Sequence, residues 1–279
     1  MPAAPLDFFA ARPRPPLDAF VELIWATRGA APYRRAAVLP NGALQLMLNF
    51  GPPHRLLSRA GRTDRREFRE AWVAGLQELP LEIEAPGETD IFAIRFRPGG
   101  AHAFFGGSLQ ALTHEVVDSA DWLRRDVAEL RERVAAAPTR GGQCRAAESW
   151  LLARLAPREP AHALVQRAIA VLAEPFPGHP GQPARSVRET CEWLGLSNRH
   201  LIALFRRHVG LAPKTYARVR RFHGAMAALA AGAPQADLAA QLGFADQAHM
   251  GNDFRRLAGV TPGEFVARRG LDNESVILG

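Results

Sequence analysis

Several residue types and patterns are scarce in this 279-residue chain. It has two cysteines, Cys144 and Cys191, and their spacing is not that of metal ligands. No uninterrupted apolar run approaches the roughly 20 residues that a membrane span needs. The N-terminus also lacks the charged start, apolar core and cleavage site of a secretory leader. We therefore expect a cytoplasmic protein whose cysteines are buried thiols.

Patterns that carry catalysis are also missing. The sequence has no glycine-rich phosphate loop, no Ser/His/Asp cluster and no paired-carboxylate motif. His54, His102 and His114 do not have the clustering of a metal site. We therefore expect no enzymatic activity, no cofactor and no bound metal.

Lysine is nearly absent, so the positive charge of the chain is carried by arginine. Lys214 is the single lysine among 35 Lys+Arg residues. Residues 185–270 contain 13 Lys+Arg against 6 Asp+Glu, whereas the other residues contain 22 against 22. The whole net charge of +7 therefore lies in this region, as a phosphate-binding surface requires. A coding bias toward arginine is the competing explanation.

Residues 186–269 contain a pattern that occurs twice. Each copy has a Leu-Gly pair, then Phe-Arg-Arg, then Gly-x-x-Pro, then an aromatic residue three positions on. The members are Leu194-Gly195, Phe205-Arg206-Arg207, Gly210 to Pro213 and Tyr216, then Leu242-Gly243, Phe254-Arg255-Arg256, Gly259 to Pro262 and Phe265. Such an order predicts a duplicated supersecondary unit.

Each copy predicts a helix-turn-helix motif. In the first, Ser186 and Glu189 form a capping box, Gly195 makes the turn and Ser197 caps the second helix. In the second, Gly243 makes the turn and Asp246 is the cap. The helical periodicity predicts that the second helices bury Leu201, Leu204, Phe205 and His208 in one copy and Met250, Phe254, Leu257 and Ala258 in the other.

The outward faces of these two helices hold the candidate DNA-binding residues. They are Arg199, Ile202, Ala203 and Arg206 in the first copy, and Gln247, Ala248, His249, Asn252, Arg255 and Arg256 in the second. Arg199 suits guanine and Asn252 suits adenine in the major groove. Arg206 and Arg255 are expected to reach phosphates instead. That these side chains are merely solvated is the alternative.

A single amphipathic helix is predicted between the copies. It covers residues 213–231 and is about 28 Å long. Its apolar stripe is Tyr216, Val219, Phe222, Met226 and Leu229. A helix of this length is suited to hold two reading helices near the roughly 34 Å that separates successive major-groove faces.

Residues 186–269 resemble the DNA-binding domain of the AraC/XylS family of bacterial transcription regulators. The matching residues are Leu242-Gly243-Phe244, Asp246-Gln247, His249, Phe254-Arg255-Arg256, Gly259-Val260-Thr261-Pro262 and Phe265. One departure is Gly251-Asn252, which stands where many members have a Thr-Arg-like pair. The resemblance implies a sequence-specific transcription regulator that binds double-stranded DNA. A non-specific architectural DNA-binding protein is the alternative.

AraC-like domains also occur fused to DNA-repair alkyl-transfer modules, which are enzymes. Those modules need a cysteine-rich metal site, and two scattered cysteines cannot build one. The enzyme alternative is therefore disfavoured.

Residues 1–175 predict a separate unit of mixed structure. Short strands are expected over 43–50, 71–77, 81–85 and 90–97, and helices over 101–105, 121–136, 143–156 and 161–173. The predicted fold class is α+β, with a small β-barrel-like domain and its helices followed by an all-α domain. Trp25, Trp72, Phe92 and Phe104 are interpreted as core side chains rather than as the lining of a cavity.

Residues 1–175 resemble the barrel-like N-terminal domains that accompany many AraC-type regulators. Leu39-Pro40-Asn41-Gly42 and the segment from Arg95 to Ala101 carry this resemblance. In the family such domains bind a small effector or mediate dimerisation. A small-molecule effector, a second copy of the chain and RNA polymerase are therefore candidate partners, and the effector-binding residues are unknown.

The predicted domain limits follow from composition. Residues 1–175 form the sensing or dimerisation domain, 176–185 a linker rich in proline and glycine, and 186–270 the DNA-binding domain.

Overall fold

The computed structural model describes residues 5–122, 125–157, 159–173, 185–270 and 274–278. The predicted linker lies outside the described residues except for its last position, Arg185. The strands are β1 (Asp7–Ala11), β2 (Val21–Ala30), β3 (Arg35–Val38), β4 (Gln45–Asn49), β5 (His54–Arg59), β6 (Arg62–Thr63), β7 (Glu67–Phe68), β8 (Ala71–Ala74), β9 (Leu81–Glu84), β10 (Glu88–Phe96), β11 (Val116–Asp118) and β12 (Ser275–Ile277). The α-helices are α1 (His102–Phe105), α2 (Ser119–Trp122), α3 (Arg125–Ala136), α4 (Arg140–Leu152), α5 (Pro160–Ala173), α6 (Val187–Leu194), α7 (Asn198–His208), α8 (Pro213–Ala230), α9 (Gln235–Gln241), α10 (Gln247–Ala258) and α11 (Pro262–Arg268). Among these residues, no helix is long and apolar enough to cross a membrane.

The strands form two antiparallel sheets. The first has the order β1-β2-β10-β4-β8-β11, and the second has the order β12-β3-β9-β5-β6, with β7 paired to β5. The four predicted strands correspond to β4, β8, β9 and β10. The predicted α+β class is confirmed, with antiparallel sheets in the N-terminal part and helices in the C-terminal part.

Strand β10, in the interior of the first sheet, is buried on both of its faces. On β10, Ile91 and Ala93 pack in a cluster between the two sheets. Phe92, Ile94 and Phe96 point the other way and pack with apolar residues of α3 and α4. Successive side chains of a strand alternate between faces, so a strand covered on both sides is apolar at nearly every position. This is why the part of β10 from Ile91 to Phe96 is apolar at every position except Arg95.

The four aromatic residues interpreted as core lie on opposite sides of this sheet. Trp25 and Trp72 pack in the cluster between the two sheets, whereas Phe92 and Phe104 pack in the cluster with α3 and α4. The four side chains therefore do not line one common cavity.

Helix α5 packs on the C-terminal helices although it precedes the predicted linker. Val165, Ala168 and Leu172 share a buried cluster with Leu201 and Phe205 of α7. On its other side, the Gln166 side-chain amide donates to the Pro98 carbonyl at 3.0 Å. The helix therefore lies between the sheets and the first helix-turn-helix.

The last residues of the chain form a strand, where the sequence shows no pattern. Ser275, Val276 and Ile277 of β12 pair with Val38, Ala37 and Ala36 of β3. Val276 is fully buried and packs with the helices of the second helix-turn-helix. The tail therefore extends the second sheet and fastens it to the C-terminal helices.

A buried carboxylate next to this strand joins three parts of the chain. Glu274 accepts hydrogen bonds from both terminal nitrogens of Arg95 on β10, one of them at 2.6 Å, and from the Asn41 amide at 3.2 Å. Nε2 of His223 on α8 lies 3.5 Å from its Oε1. Burial alone raises the pKa of Glu274, but His223 and Arg95 outweigh it and lower the pKa from 4.5 to about 2.

The two halves also meet where a glycine leaves no room for a side chain. Gly210 follows α7 and has φ of +93°, and a Cβ there would lie 2.6 Å from Cδ1 of Leu76 and 3.0 Å from the carbonyl oxygen of Leu109. The Thr113 hydroxyl donates to the Gly210 carbonyl at 2.6 Å. A close backbone approach therefore fixes α7 against the sheet part.

We expect Glu274→Gln to destabilise the protein by about 3 kcal/mol at pH 7, because it leaves Arg95 buried without its counter-charge. The folded-state pKa of Glu274 is depressed, so its stabilisation is full above about pH 4.5 and is lost as the pH falls toward 2. Denaturant unfolding of the wild type and the variant at a series of pH values should show the difference narrowing below pH 4.5.

Glu82→Gln is the matched control, because Glu82 pairs with Arg35 at 3.5 Å in an exposed position of the same sheet. It should change the unfolding free energy little. A difference for Glu274→Gln that stays constant with pH would contradict the assignment.

Candidate nucleic-acid interface

The first helix-turn-helix is formed by α6 and α7. The Ser186 hydroxyl accepts from the Glu189 amide and the Glu189 carboxylate accepts from the Ser186 amide, which is the predicted capping box. Gly195 ends α6 at φ of +66°, a conformation that glycine adopts without strain. Ser197 then caps α7 by accepting from the His200 amide at 3.2 Å. The caps and the turn were all predictable from the sequence.

The second helix-turn-helix repeats this construction in α9 and α10. Gly243 makes the turn at φ of +74°. The Asp246 carboxylate caps α10 by accepting from the His249 amide at 2.7 Å. The predicted inner face is buried, and its members are Met250, Phe254, Leu257 and Ala258.

Helix α8 connects the two motifs and contributes to both of their cores. Tyr216 packs against Phe205 of α7 with ring centroids 5.8 Å apart. Phe222 packs against Phe254 of α10 with centroids 4.9 Å apart. All five residues of the predicted apolar stripe are buried. Its 18 residues give a length of about 27 Å.

Most of the candidate DNA-binding residues are exposed on α7 and α10. The exposed ones are Arg199, Ala203, Arg206, Gln247, Ala248, Asn252, Arg255 and Arg256. Ile202 and His249 are partly buried. Each reading helix thus presents one outer face, and each face carries two or more arginine or amide groups.

His249 has contacts within its own turn. Its Nδ1 accepts from the Ala245 amide at 3.2 Å, and its ring meets Phe244 edge to face at 5.5 Å. Its Nε2 lies 4.0 Å from the Asp253 carboxylate. These contacts orient the start of α10 from within the motif.

Arg221 of α8 also holds the second turn, and the repeated pattern gave no sign of it. Its Nη1 donates to the Gly243 carbonyl at 2.9 Å, and its Nη2 lies 3.5 Å from the Asp253 carboxylate. Its guanidinium carbon lies 4.6 Å from the centre of the Phe244 ring. The turn and α10 are therefore fixed to α8 by one side chain. Arg221 and Gly243 are 22 residues apart. Arginines at such a distance from a glycine are too common in this sequence to predict the contact.

Arginines of the two outer faces differ from arginines of the sheets in their partners. Within the described part of the chain, Arg199, Arg206, Arg255 and Arg256 have no carboxylate within ion-pair distance, which is 4.0 Å. Ion pairs elsewhere satisfy many arginines of the sheet part, including Arg28, Arg34, Arg35, Arg55, Arg59, Arg66, Arg69 and Arg95. The positive charge on the outer faces of α7 and α10 is therefore not compensated by ion pairs with described residues and is available to a polyanion.

Two helix-turn-helix motifs on one connecting helix, with arginines on both outer faces, define a DNA-binding transcription regulator. Residues 190–268 match a family model described as a helix-turn-helix domain. The C-terminal part of the chain therefore contains a helix-turn-helix domain of the AraC type, a domain type found in bacterial transcription regulators. Residues 10–118 match a second model, described as a domain of unknown function (DUF6597).

Solved structures with a similar fold include two of ToxT from Vibrio cholerae. The apo K231A form is 8% identical, covers 88% of this chain and 96% of its own, and has a TM-score of 0.48. The form bound to an unsaturated fatty acid is 8% identical, covers 95% of both chains and has a TM-score of 0.46. The AraC-like transcriptional activator CuxR is 15% identical, covers 79% of this chain and 87% of its own, and has a TM-score of 0.26. No curated protein has a matching sequence.

A group of metal-ligating side chains lies away from the reading faces. Among the described residues, a ring nitrogen of His102, a ring nitrogen of His208 and a carboxylate oxygen of Glu159 lie within 4.8 Å of one another. Burial lowers the pKa of both histidines, that of His208 to about 4, so both rings are neutral at pH 7. The expectation of no metal considered His102 with His54 and His114, whereas the fold brings His102 to His208 on the other half of the chain.

We expect Gly251→Ala to stabilise the protein by about 0.5–1 kcal/mol, because glycine is a poor helix former. Gly251 lies inside α10, and a Cβ there would meet no atom closer than 3.9 Å. Its presence in place of a larger residue is therefore not required by packing. Urea unfolding of the variant beside the wild type measures the effect.

Gly259→Ala is the control for that substitution. It also has room for a Cβ, but its φ is +71° at the end of α10. Alanine should therefore destabilise there by about 1 kcal/mol. Equal changes in the free energy of unfolding for Gly251→Ala and Gly259→Ala would contradict this expectation, since the backbone conformation would then have no effect.

Proposed function

We propose that this protein is a sequence-specific transcription regulator in which α7 and α10 read two successive major-groove segments of DNA. The observation that carries the proposal is the pattern of ion pairing. Arg199 and Arg206 on α7, and Arg255 and Arg256 on α10, are exposed and have no carboxylate partner among the described residues. Since these arginines are not neutralised internally, phosphates and base edges are their natural partners.

The connecting helix supports a two-segment reading. Its length of about 27 Å is close to the roughly 34 Å between successive major-groove faces on one side of a duplex. Each reading helix packs on α8 through aromatic contacts, so the two helices are held as one unit rather than as two independent heads. The loss of conformational entropy of the protein on binding both segments is then small.

The position of each side chain along its helix suggests its role. Arg199 is the second residue of α7, and recognition helices approach base edges with their N-terminal residues. Asn252 lies in the middle of α10, and its amide suits adenine. Arg206 and Arg255 lie nearer the C-terminal ends, where contact with phosphates is favoured.

Regulation by the sheet part is the second half of the proposal. Residues 1–175 are the sensing or dimerisation part and residues 186–270 the DNA-binding part. A small effector bound by the sheet part would act through the contacts at Gly210 and Glu274, provided that it binds one arrangement of the two parts more tightly than another. Which residues bind such an effector is not assigned. A second chain and RNA polymerase are further candidate partners.

The alternative is an architectural protein that binds DNA without sequence preference. It would use the same arginines, so the contact surface does not separate the two functions. The difference is the ratio of affinities for a preferred site and for unrelated DNA at one salt concentration.

The full-length protein should protect two adjacent major-groove segments about one helical turn apart, because it carries two reading helices. If 6–10 phosphates are contacted, the affinity should fall about 10³- to 10⁵-fold between 50 and 200 mM salt. Footprinting and a salt titration on a selected site measure both. Protection of a single segment would refute the two-segment reading, and a flat salt response would refute the phosphate contacts.

Arg199→Ala should cost about 1–3 kcal/mol on the preferred site and relax the preference at one or two base pairs. Arg206→Ala, on the same helix, should weaken binding to all sequences alike and lower the salt slope by about one. Binding-site selection with each variant at a fixed salt concentration separates the two roles. An unchanged preferred sequence for Arg199→Ala would assign Arg199 to phosphate contact.

A further inference from the structure

Three potential metal ligands meet where the two halves of the chain touch. His102 is the first residue of α1 in the sheet part, and His208 is the last residue of α7, the first reading helix. Glu159 immediately precedes α5. Their ligand atoms lie within 4.8 Å of one another, and the two imidazole rings are 4.0 Å apart between centroids. Residues far apart in sequence thus form one compact cluster.

The two histidines are buried and each has a nitrogen without a partner. His102 is 7% exposed and His208 is 1% exposed. Nε2 of His102 and Nδ1 of His208 are buried and make no hydrogen bond to the protein. Buried polar atoms are nearly always satisfied, so two orphaned nitrogens on adjacent rings indicate a group that both could bind.

Burial lowers the pKa of His102, and the backbone of Gly107 acts in the opposite direction with a smaller effect. The ring of His102 is therefore neutral at pH 7, as a metal-binding imidazole must be.

We propose that His102, His208 and Glu159 bind a divalent transition-metal ion between the two halves of the protein, with Zn²⁺ the best match. Two imidazoles and one carboxylate are a known zinc ligand set, with a water molecule at the fourth position. At Zn–N distances of about 2.0–2.1 Å, ligand atoms of a tetrahedral site lie about 3.3 Å apart. The ligand atoms now lie within 4.8 Å of one another, so binding of the ion would have to draw them closer together.

A neighbouring arginine, Arg207, would repel a bound cation, so the proposal predicts the direction in which its removal changes the metal affinity. Nη2 of Arg207 lies 3.8 Å from Oε1 of Glu159, and both side chains are about half exposed. Such an ion pair is weak, so Glu159 can exchange it for a metal. Because the guanidinium also places a positive charge beside the site, removing it should strengthen metal binding.

A metal at this position would act on the first reading helix. It would tie the C-terminal end of α7 to α1, beside the close approach at Gly210. None of the three cluster residues is a candidate DNA-binding residue. The metal proposal and the DNA-binding proposal can therefore be tested and refuted separately.

The test is titration of metal-free full-length protein with Zn²⁺ against a chromogenic chelator. One ion per chain is expected, and saturation at about a hundredfold excess over Kd should raise the Tm by roughly 5–10 °C. Co²⁺ in place of Zn²⁺ should give the visible absorption of a four-coordinate site. His102→Gln, His208→Gln and Glu159→Gln should each weaken binding at least about tenfold. Arg207→Gln should bind several-fold more tightly.

His200→Gln is the matched control, because His200 is exposed on the same helix as His208 and lies outside the cluster. It should leave the affinity unchanged. Glu159→Gln changes an exposed residue, so its loss of binding cannot be ascribed to misfolding. Absence of Zn²⁺ binding by the wild type at micromolar concentration would overturn the proposal. So would an affinity that is unchanged in His102→Gln and Glu159→Gln, since the ion would then be bound elsewhere.

Discussion

Burial of the apolar stripe of α8 is the interaction on which both DNA-binding motifs depend. Tyr216 at one end of the helix completes the core of the first motif, while Phe222 and Met226 belong to the core of the second. The first core also includes side chains of α5, and the second includes side chains of β3 and β12. The relative placement of α7 and α10 is therefore set by packing, and a change in the stripe would disturb both reading helices together. Rigid positioning of this kind is what a protein with two reading helices requires, because DNA fixes the distance between successive grooves.

The same helix connects the reading unit to the sheets. Ala37 and Leu39 of the sheet part, and Val276 of the last strand, pack in the cluster that holds Phe222 and Phe254. Glu274 adds a polar contact between β10 and α8. The C-terminal helices are therefore continuous in packing with the sheets. This continuity is what the proposed regulation by the N-terminal part requires, since a coupling between two sites needs side chains in contact between them.

Local features of the C-terminal half could be predicted from the sequence because each is encoded within a few residues. The Ser186–Glu189 capping box, the turn glycines Gly195 and Gly243, and the buried faces of α7 and α10 depend on neighbours three or four positions apart. Strand β12 depends instead on pairing with β3, more than 200 residues earlier. The contact between His102 and His208 likewise joins two segments more than 100 residues apart, next to the close approach at Gly210. No periodicity within either segment carries such information.

Arginine in this chain shows why composition alone does not identify a binding surface. Lys214 is the only lysine, so arginines occur on every surface and their number does not distinguish function from coding bias. Their ion pairs show which of them are already compensated within the protein. Arg55 lies between Glu67 and Glu84, and Arg95 is bound to Glu274, so these guanidiniums are neutralised by the fold. Arg199 stands on an outer face with no carboxylate within reach among the described residues. An ion pair made within the protein would have to be broken before a phosphate could be bound. Because Arg199, Arg206, Arg255 and Arg256 make no such pair with any described residue, their electrostatic attraction for DNA is not reduced by this cost.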